Sequence, residues 1–139
     1  MIYAAERPAL AMLEILTHLQ LSQNAMPLTL RLRAVNIKNG VKIAPAPELP
    51  SGWQVNQPST QGLGNTWLQS AKELLMKIPS AVLPESSNHL INPHHPQAAA
   101  HLLETDLGPF WMDARLARRQ TSQTTFRVFM TTLIRMVRP

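Results

Sequence analysis

Residues 77–84 read Lys77-Ile78-Pro79-Ser80-Ala81-Val82-Leu83-Pro84, and the chain continues Glu85-Ser86-Ser87-Asn88-His89-Leu90-Ile91-Asn92-Pro93-His94-His95-Pro96. The apolar run 78–83, with a proline at each end, predicts a short buried or edge strand carrying one small hydroxyl, Ser80. Residues 85–88 predict a turn, 89–91 a second extended piece, and Asn92-Pro93 another turn. Strand, turn, strand, turn within twenty residues, with hydroxyl, amide and imidazole groups at the bends, suits the wall of a pocket. On spacing alone a hairpin with a satisfied core serine is the favoured reading.

Outward from that stretch, 139 residues suffice for one domain with a real core. Apolar residues make up 45 % of the chain, yet no run approaches the ~20 needed to span a bilayer. Glu6 and the amphipathic pattern after it do not read as a signal peptide. The absence of cysteine excludes a disulfide framework and thiolate-ligated metal, and suits the cytoplasm. The net charge of +5 is unevenly spread. Six arginines (115, 118, 119, 127, 135 and 138) and no carboxylate lie in residues 115–139, which leaves residues 1–114 at a net −1. The body therefore offers no electrostatic case for nucleic acid, and the basic character belongs to a C-terminal tail, 117–139. Twelve prolines, mostly between residues 45 and 96, argue for turns and short elements over a helical bundle.

In chain order, residues 1–5 predict a strand, followed by a helix with Pro8 in its first turn. Ala9, Met12, Leu13, Ile15, Leu16 and Leu19 form its apolar stripe. Glu14 projects opposite that stripe, the position of a solvated residue pairing with His18 one turn on. Alternation over 28–35 predicts a strand with one buried face, and Asn39-Gly40 a hairpin turn leading into 41–43. A proline-rich connection follows over 44–59, then a flexible turn at Gly62 and Gly64, a short helix over 67–75, another over 97–103, and a final strand over 110–116. Residues 126–139 fit helix or strand.

Four histidines, His89, His94, His95 and His101, crowd into thirteen positions. Without thiolates and with prolines constraining the turn, they make a poor metal site, and none is expected. There is no Gly-x-Ser-x-Gly, no phosphate-cradling glycine loop and no His-Glu-x-x-His. A triad of Ser80, a histidine and Glu14 is the kind of selection that any chain of this size permits.

Taken in order, seven segments resemble the RES domain family: Tyr3-Ala4-Ala5-Glu6; residues 9–19 around Glu14; Leu49-Pro50-Ser51-Gly52-Trp53; Gly64-Asn65-Thr66-Trp67; Ile78-Pro79-Ser80-Ala81-Val82; residues 88–96; and Phe110-Trp111-Met112-Asp113-Ala114-Arg115-Leu116. They cover residues 3–116, so a RES-like domain is expected over 1–116. The resemblance implies an α/β (α+β) fold, a small mixed sheet with short flanking helices, similar to ADP-ribosyltransferases and shortened at its N-terminus. It implies a toxin of a bacterial toxin–antitoxin pair that breaks the nicotinamide–ribose bond of NAD. NAD is then substrate, no other cofactor is implied, and a Xre-type helix-turn-helix antitoxin is the partner through which nucleic acid would be met. Self-association is left open.

By the same resemblance Glu14 and Ser80 are the family's glutamate and serine, and Glu14 then faces a cleft. Tyr3 stands at the family's aromatic position beside the nicotinamide ribose. Asn92 and His95 match a turn at the pocket edge. The family's arginine precedes the tyrosine in a Gly-Gly-Arg-Trp-Asn-like stretch, whereas this chain begins two residues before Tyr3. Arg7, Arg31 and Arg33 are the nearest substitutes, and Asn65 stands where the family usually has aspartate. Two other readings stay open: a non-catalytic remnant keeping the fold or antitoxin binding, and a basic module acting through residues 115–139.

Overall fold

The computed structural model describes residues 1–19, 30–111, 113–116 and 132–137. Among them a mixed sheet of seven strands carries three helices: β1 Ile2–Ala5, α1 Pro8–Leu19, β2 Leu30–Ile37, β3 Ile43–Pro45, α2 Gln57–Ser70, β4 Leu75–Pro79, β5 Ser87–Ile91, α3 Ala98–His101, β6 Leu102–Phe110 and β7 Thr132–Val137. The strand order is β3-β4-β5-β1-β7-β2-β6. β4, β5 and β1 form an antiparallel block, and β7 runs parallel to both β1 and β2. Among the described residues no helix is long and apolar enough to cross a membrane.

The pleat divides the side chains of the antiparallel block between two faces. In one set of rows Ile2 lies opposite Ile91 and Leu75, and Ala4 opposite His89 and Lys77; in the alternate set Tyr3 lies opposite Leu90 and Met76, and Ala5 opposite Asn88 and Ile78. The first face builds a core of Ala4, Leu75 and Ile91 with Val35, Ile37, Leu74 and Ala98. On the second face α1 packs Leu10 and Ala11 against Ala5 and Leu30, while Trp67 of α2 packs with Met76 and Leu90.

β1 and α1 form where the sequence places them, with Pro8 opening the helix. α2 departs from expectation. It begins at Gln57, inside the supposed connection, and absorbs the supposed glycine turn. The Asn56 side chain accepts a hydrogen bond from the Ser59 backbone N–H, and Pro58 sits in the first turn, so a capped start offsets poor helix formers. Gly64 faces inward, where a Cβ would meet Met1 Sδ at 3.8 Å and Leu90 Cδ1 at 3.9 Å.

Four further expectations are corrected. Residues 71–75 are not helical: α2 ends at Ala71 in the left-handed region (φ 48°), and Leu75 starts β4. Asn39-Gly40 turns, with Gly40 at φ +90°, but makes no hairpin. Both sides of β2 are already taken, by β6 and β7, so the chain crosses to the far edge and pairs β3 with β4. The pivotal strand spans 75–79, and Ser80 sits just beyond its end. The strand expected over 110–116 lies instead at 102–110 as β6, followed by a 3₁₀ turn at Ala114–Leu116. Gly108, Pro109 and two carboxylates obscured β6, but an edge strand tolerates a proline. Of the basic C-terminal stretch, 132–137 lies within the sheet as β7, while 117–131 and 138–139 fall outside the described residues.

Ile91 is fully buried at the centre of the first core. Ile91→Ala should therefore lower unfolding free energy by roughly 2–5 kcal/mol in urea titration; a loss under about 1 kcal/mol would contradict that central position.

Candidate active site

Glu14 is 5 % exposed, Ser80 and Asn88 0 %. At 100° per residue Glu14 lies in azimuth between Leu10 and Ala11, the two residues that α1 buries against the sheet. Of the expected apolar stripe, Ala9 and Leu13 are exposed, whereas Met12, Ile15 and Leu16 pack partly buried beside Leu10 and Ala11. Glu14 is thus not a solvated residue. The pairing with His18 lies outside the described side chains.

What receives the carboxylate is the end of the β4–β5 hairpin. Ser80 Oγ donates to Glu14 Oε1 at 2.7 Å, and Asn88 Nδ2 donates to the same oxygen at 2.6 Å. Asn88 Nδ2 also donates to the Tyr3 hydroxyl. Ser80 is fixed in turn by the backbone N–H groups of Val82 and Leu83, which donate to its Oγ at 3.2 and 3.0 Å. Its own N–H continues the ladder to the Ser86 carbonyl at 3.0 Å. Position 80 thus requires a small hydroxyl that accepts from the turn and donates to a carboxylate.

Although the Tyr3 residue is 40 % exposed overall, desolvation at its hydroxyl end, above all, and then the Glu14 charge push the phenol well above its ordinary value of 10.0, helped by its hydrogen bond to Glu14 and opposed by the one from Asn88. An anionic ring beside an anionic carboxylate is unfavourable, so Tyr3 stays a neutral donor.

Beside these groups lies an apolar cleft of ≈ 70 Å³, with Trp53, Leu63, Met76, Ile78, Pro79 and Leu90 among its walls. Pro79 precedes Ser80 in the chain, and Ile78 is in register with Asn88.

Tyr3, Glu14 and Ser80 are thereby brought together. Asn92 and His95 are not part of that cluster. Asn92, the residue just after β5, lies four positions beyond Asn88, roughly 13 Å at strand rise. Its Oδ1 accepts from the His94 N–H at 3.0 Å and its Nδ2 donates to the Leu68 carbonyl at 3.3 Å. His95 Nδ1 accepts from the Gln97 N–H at 3.2 Å. Both shape the turn before α3. Arg31 donates to Asp106 at 2.7 Å and Arg33 pairs with Glu104, so both engage β6. Among the described residues no three metal-ligating side chains cluster.

Sequence reasoning missed Asn88 as a site residue. What places it is the register of β5 on β1, which puts Asn88 and Leu90 on the face of Tyr3 and Ala5 and is not local sequence information.

A mixed sheet whose first helix lowers a carboxylate onto a serine and an asparagine defines a small α/β protein with a built polar site. Residues 1–113 match the RES domain model, and the chain belongs to the RES domain family. It is similar to the protein Toxin Res of Pseudomonas putida, 38 % identical over 115 residues that span 83 % of this chain and 78 % of the relative. It is also similar to the Prs ADP-ribosylating toxin of a Sphingobium species, 35 % identical over 103 residues (70 % and 63 %), and to Toxin Res of Yersinia enterocolitica, 31 % identical over 117 residues (83 % and 76 %).

The chain has one tyrosine, so its ionisation can be read alone at 295 nm. Because the folded value is raised, the stability this environment contributes is complete below pH 10, where the unfolded phenol is also neutral, and is lost as pH rises further. No tyrosinate should form up to pH 10.5 in the folded protein, and Glu14→Gln should bring the midpoint down. A wild-type midpoint near 10 would refute the coupling.

Proposed function

We propose that this chain is the toxin of a toxin–antitoxin pair and that it cleaves NAD between nicotinamide and ribose, in a fold similar to ADP-ribosyltransferases. The observation that carries the reading is the buried Glu14 carboxylate, fixed by the Ser80 hydroxyl and adjoining the Tyr3 ring. Family membership and relatives named as toxins support it.

The chemistry needs little acid catalysis. As the bond from ribose C1′ to the pyridinium nitrogen breaks, its electron pair stays on that nitrogen and nicotinamide leaves neutral. Positive charge grows on the ribose instead. A fixed carboxylate beside the ribose stabilises that charge, as carboxylates do in glycoside cleavage, and can hold a ribose hydroxyl. The Tyr3 ring offers a π face to the pyridinium cation, and Ser80 orients Glu14. An acceptor then adds to C1′; water gives ADP-ribose after losing a proton. The name of the Sphingobium relative favours a second acceptor, a protein side chain, through the same bond cleavage. A helix-turn-helix antitoxin would cover the cleft, and the reaction would draw on cytoplasmic NAD.

Purified chain incubated with NAD should release nicotinamide. Glu14→Gln should lower kcat by about 10²-fold or more, and Ser80→Ala by less. Free ADP-ribose marks water as acceptor, whereas radiolabel retained on protein marks transfer. A folded wild-type chain that releases no nicotinamide overturns the reading.

A further inference from the structure

Asn88 is the group on which the site converges, and the reaction outlined above gives it no task. Its two amide protons go to two different partners, Glu14 Oε1 at 2.6 Å and the Tyr3 hydroxyl. A carboxylate oxygen only accepts, so the nitrogen rather than the oxygen of the amide must face Glu14. That orientation carries a cost. Asn88 Oδ1 is buried and has no hydrogen-bond partner among the described residues, a penalty of the kind that folded chains rarely keep. Asn88 is held for what its nitrogen does, not for its own satisfaction.

The placement follows from register. Ala5 of β1 and Ile78 of β4 flank Asn88 on either side of β5, both small or aliphatic, so the amide stands between them and meets α1 above the sheet. Ser80 reaches the same Glu14 oxygen from the end of β4. Two donors from two strands on one oxygen fix the carboxylate's position and rotation more tightly than either alone. The second amide proton occupies a lone pair of the Tyr3 oxygen, which turns the hydroxyl proton toward Glu14.

We infer that Asn88 is a positioning residue: it locks Glu14 and the Tyr3 hydroxyl into one hydrogen-bonded unit that presents the carboxylate to the ribose. This rests on the proposed reaction, but one of its measurements does not.

That measurement is the side-chain amide pair of Asn88 in a ¹⁵N spectrum of the wild-type chain. Both protons should exchange with solvent more slowly, by about tenfold, than those of exposed asparagines, and Glu14→Gln should speed at least one of them. Exchange as fast as at exposed positions overturns the inference whether or not NAD is cleaved. With NAD, Asn88→Ala should lower kcat by about 10- to 100-fold, the worth of a charge-assisted hydrogen bond, with KM within about twofold. A loss carried by KM, or an unchanged kcat, overturns it.

Asn88→Asp separates positioning from packing. The titratable groups facing position 88 among the described side chains are Glu14 of α1 and Tyr3 of β1. Two carboxyls at that spacing titrate as a pair. While the pair holds one proton, the introduced carboxyl donates O–H where the amide donated N–H, and activity is retained. As pH rises and that proton leaves, the donor becomes a repelling charge and activity falls, a descending limb that the wild type lacks. A pH profile parallel to the wild type's overturns the inference.

Discussion

A carboxylate withdrawn from water must be given donors, and this requirement organises the molecule. Left alone beneath α1, Glu14 would cost several kcal/mol in desolvation. It is tolerable because Ser80 and Asn88 arrive from two different strands at one oxygen. The hairpin β4–β5 therefore does more than extend the sheet. Its register sets Asn88 beside Ala5, and its turn sets Ser80 where two backbone N–H groups hold the hydroxyl.

The same constraint explains why small residues surround the site. Ala5 and Ala11 let α1 approach the sheet closely, and Gly64 lets α2 approach Met1 and Leu90. Larger side chains there would lift the helices and lengthen the contacts on which Glu14 depends. The apolar cleft under α2 and the polar cluster under α1 share a sheet face, so one surface sets a dry wall next to the buried carboxylate.

How much of this was legible in the sequence differs by element. β1, α1 and the extended piece at β5 were, because a proline, a turn signal or a hydrophobic run marks each locally. Glu14 was misplaced by periodicity because α1 is apolar almost all round; a stripe chosen through Ala9 and Leu13 looks as good as one through Leu10 and Ala11. Only contact with the sheet decides between them, and that is not local information. α2 was hidden by Gly62 and Gly64, residues that weaken a helix alone but serve one packed against Met1 and Leu90. The resemblance, by contrast, joined Glu14 with Ser80 although 66 positions separate them, a pairing that composition could not supply.

Asn88 shows where both kinds of reading stop. Its neighbours Ser87 and Pro84 mark a turn, and turns favour asparagine for reasons unrelated to sites. Nothing within a few residues distinguishes an asparagine that closes a turn from one that points inward. The distinction comes from the parity of the strand: Asn88 and Leu90 share a face, Leu90 lies opposite Tyr3, and Tyr3 lies on the side that α1 covers. Shift the register by one residue and His89 would meet the carboxylate instead, a group that changes charge near neutral pH where the amide does not. A constant donor beside Glu14 is therefore a consequence of register, and register here is held by buried Ile91 and Leu75 with partly buried Ile2 in one row on the opposite face.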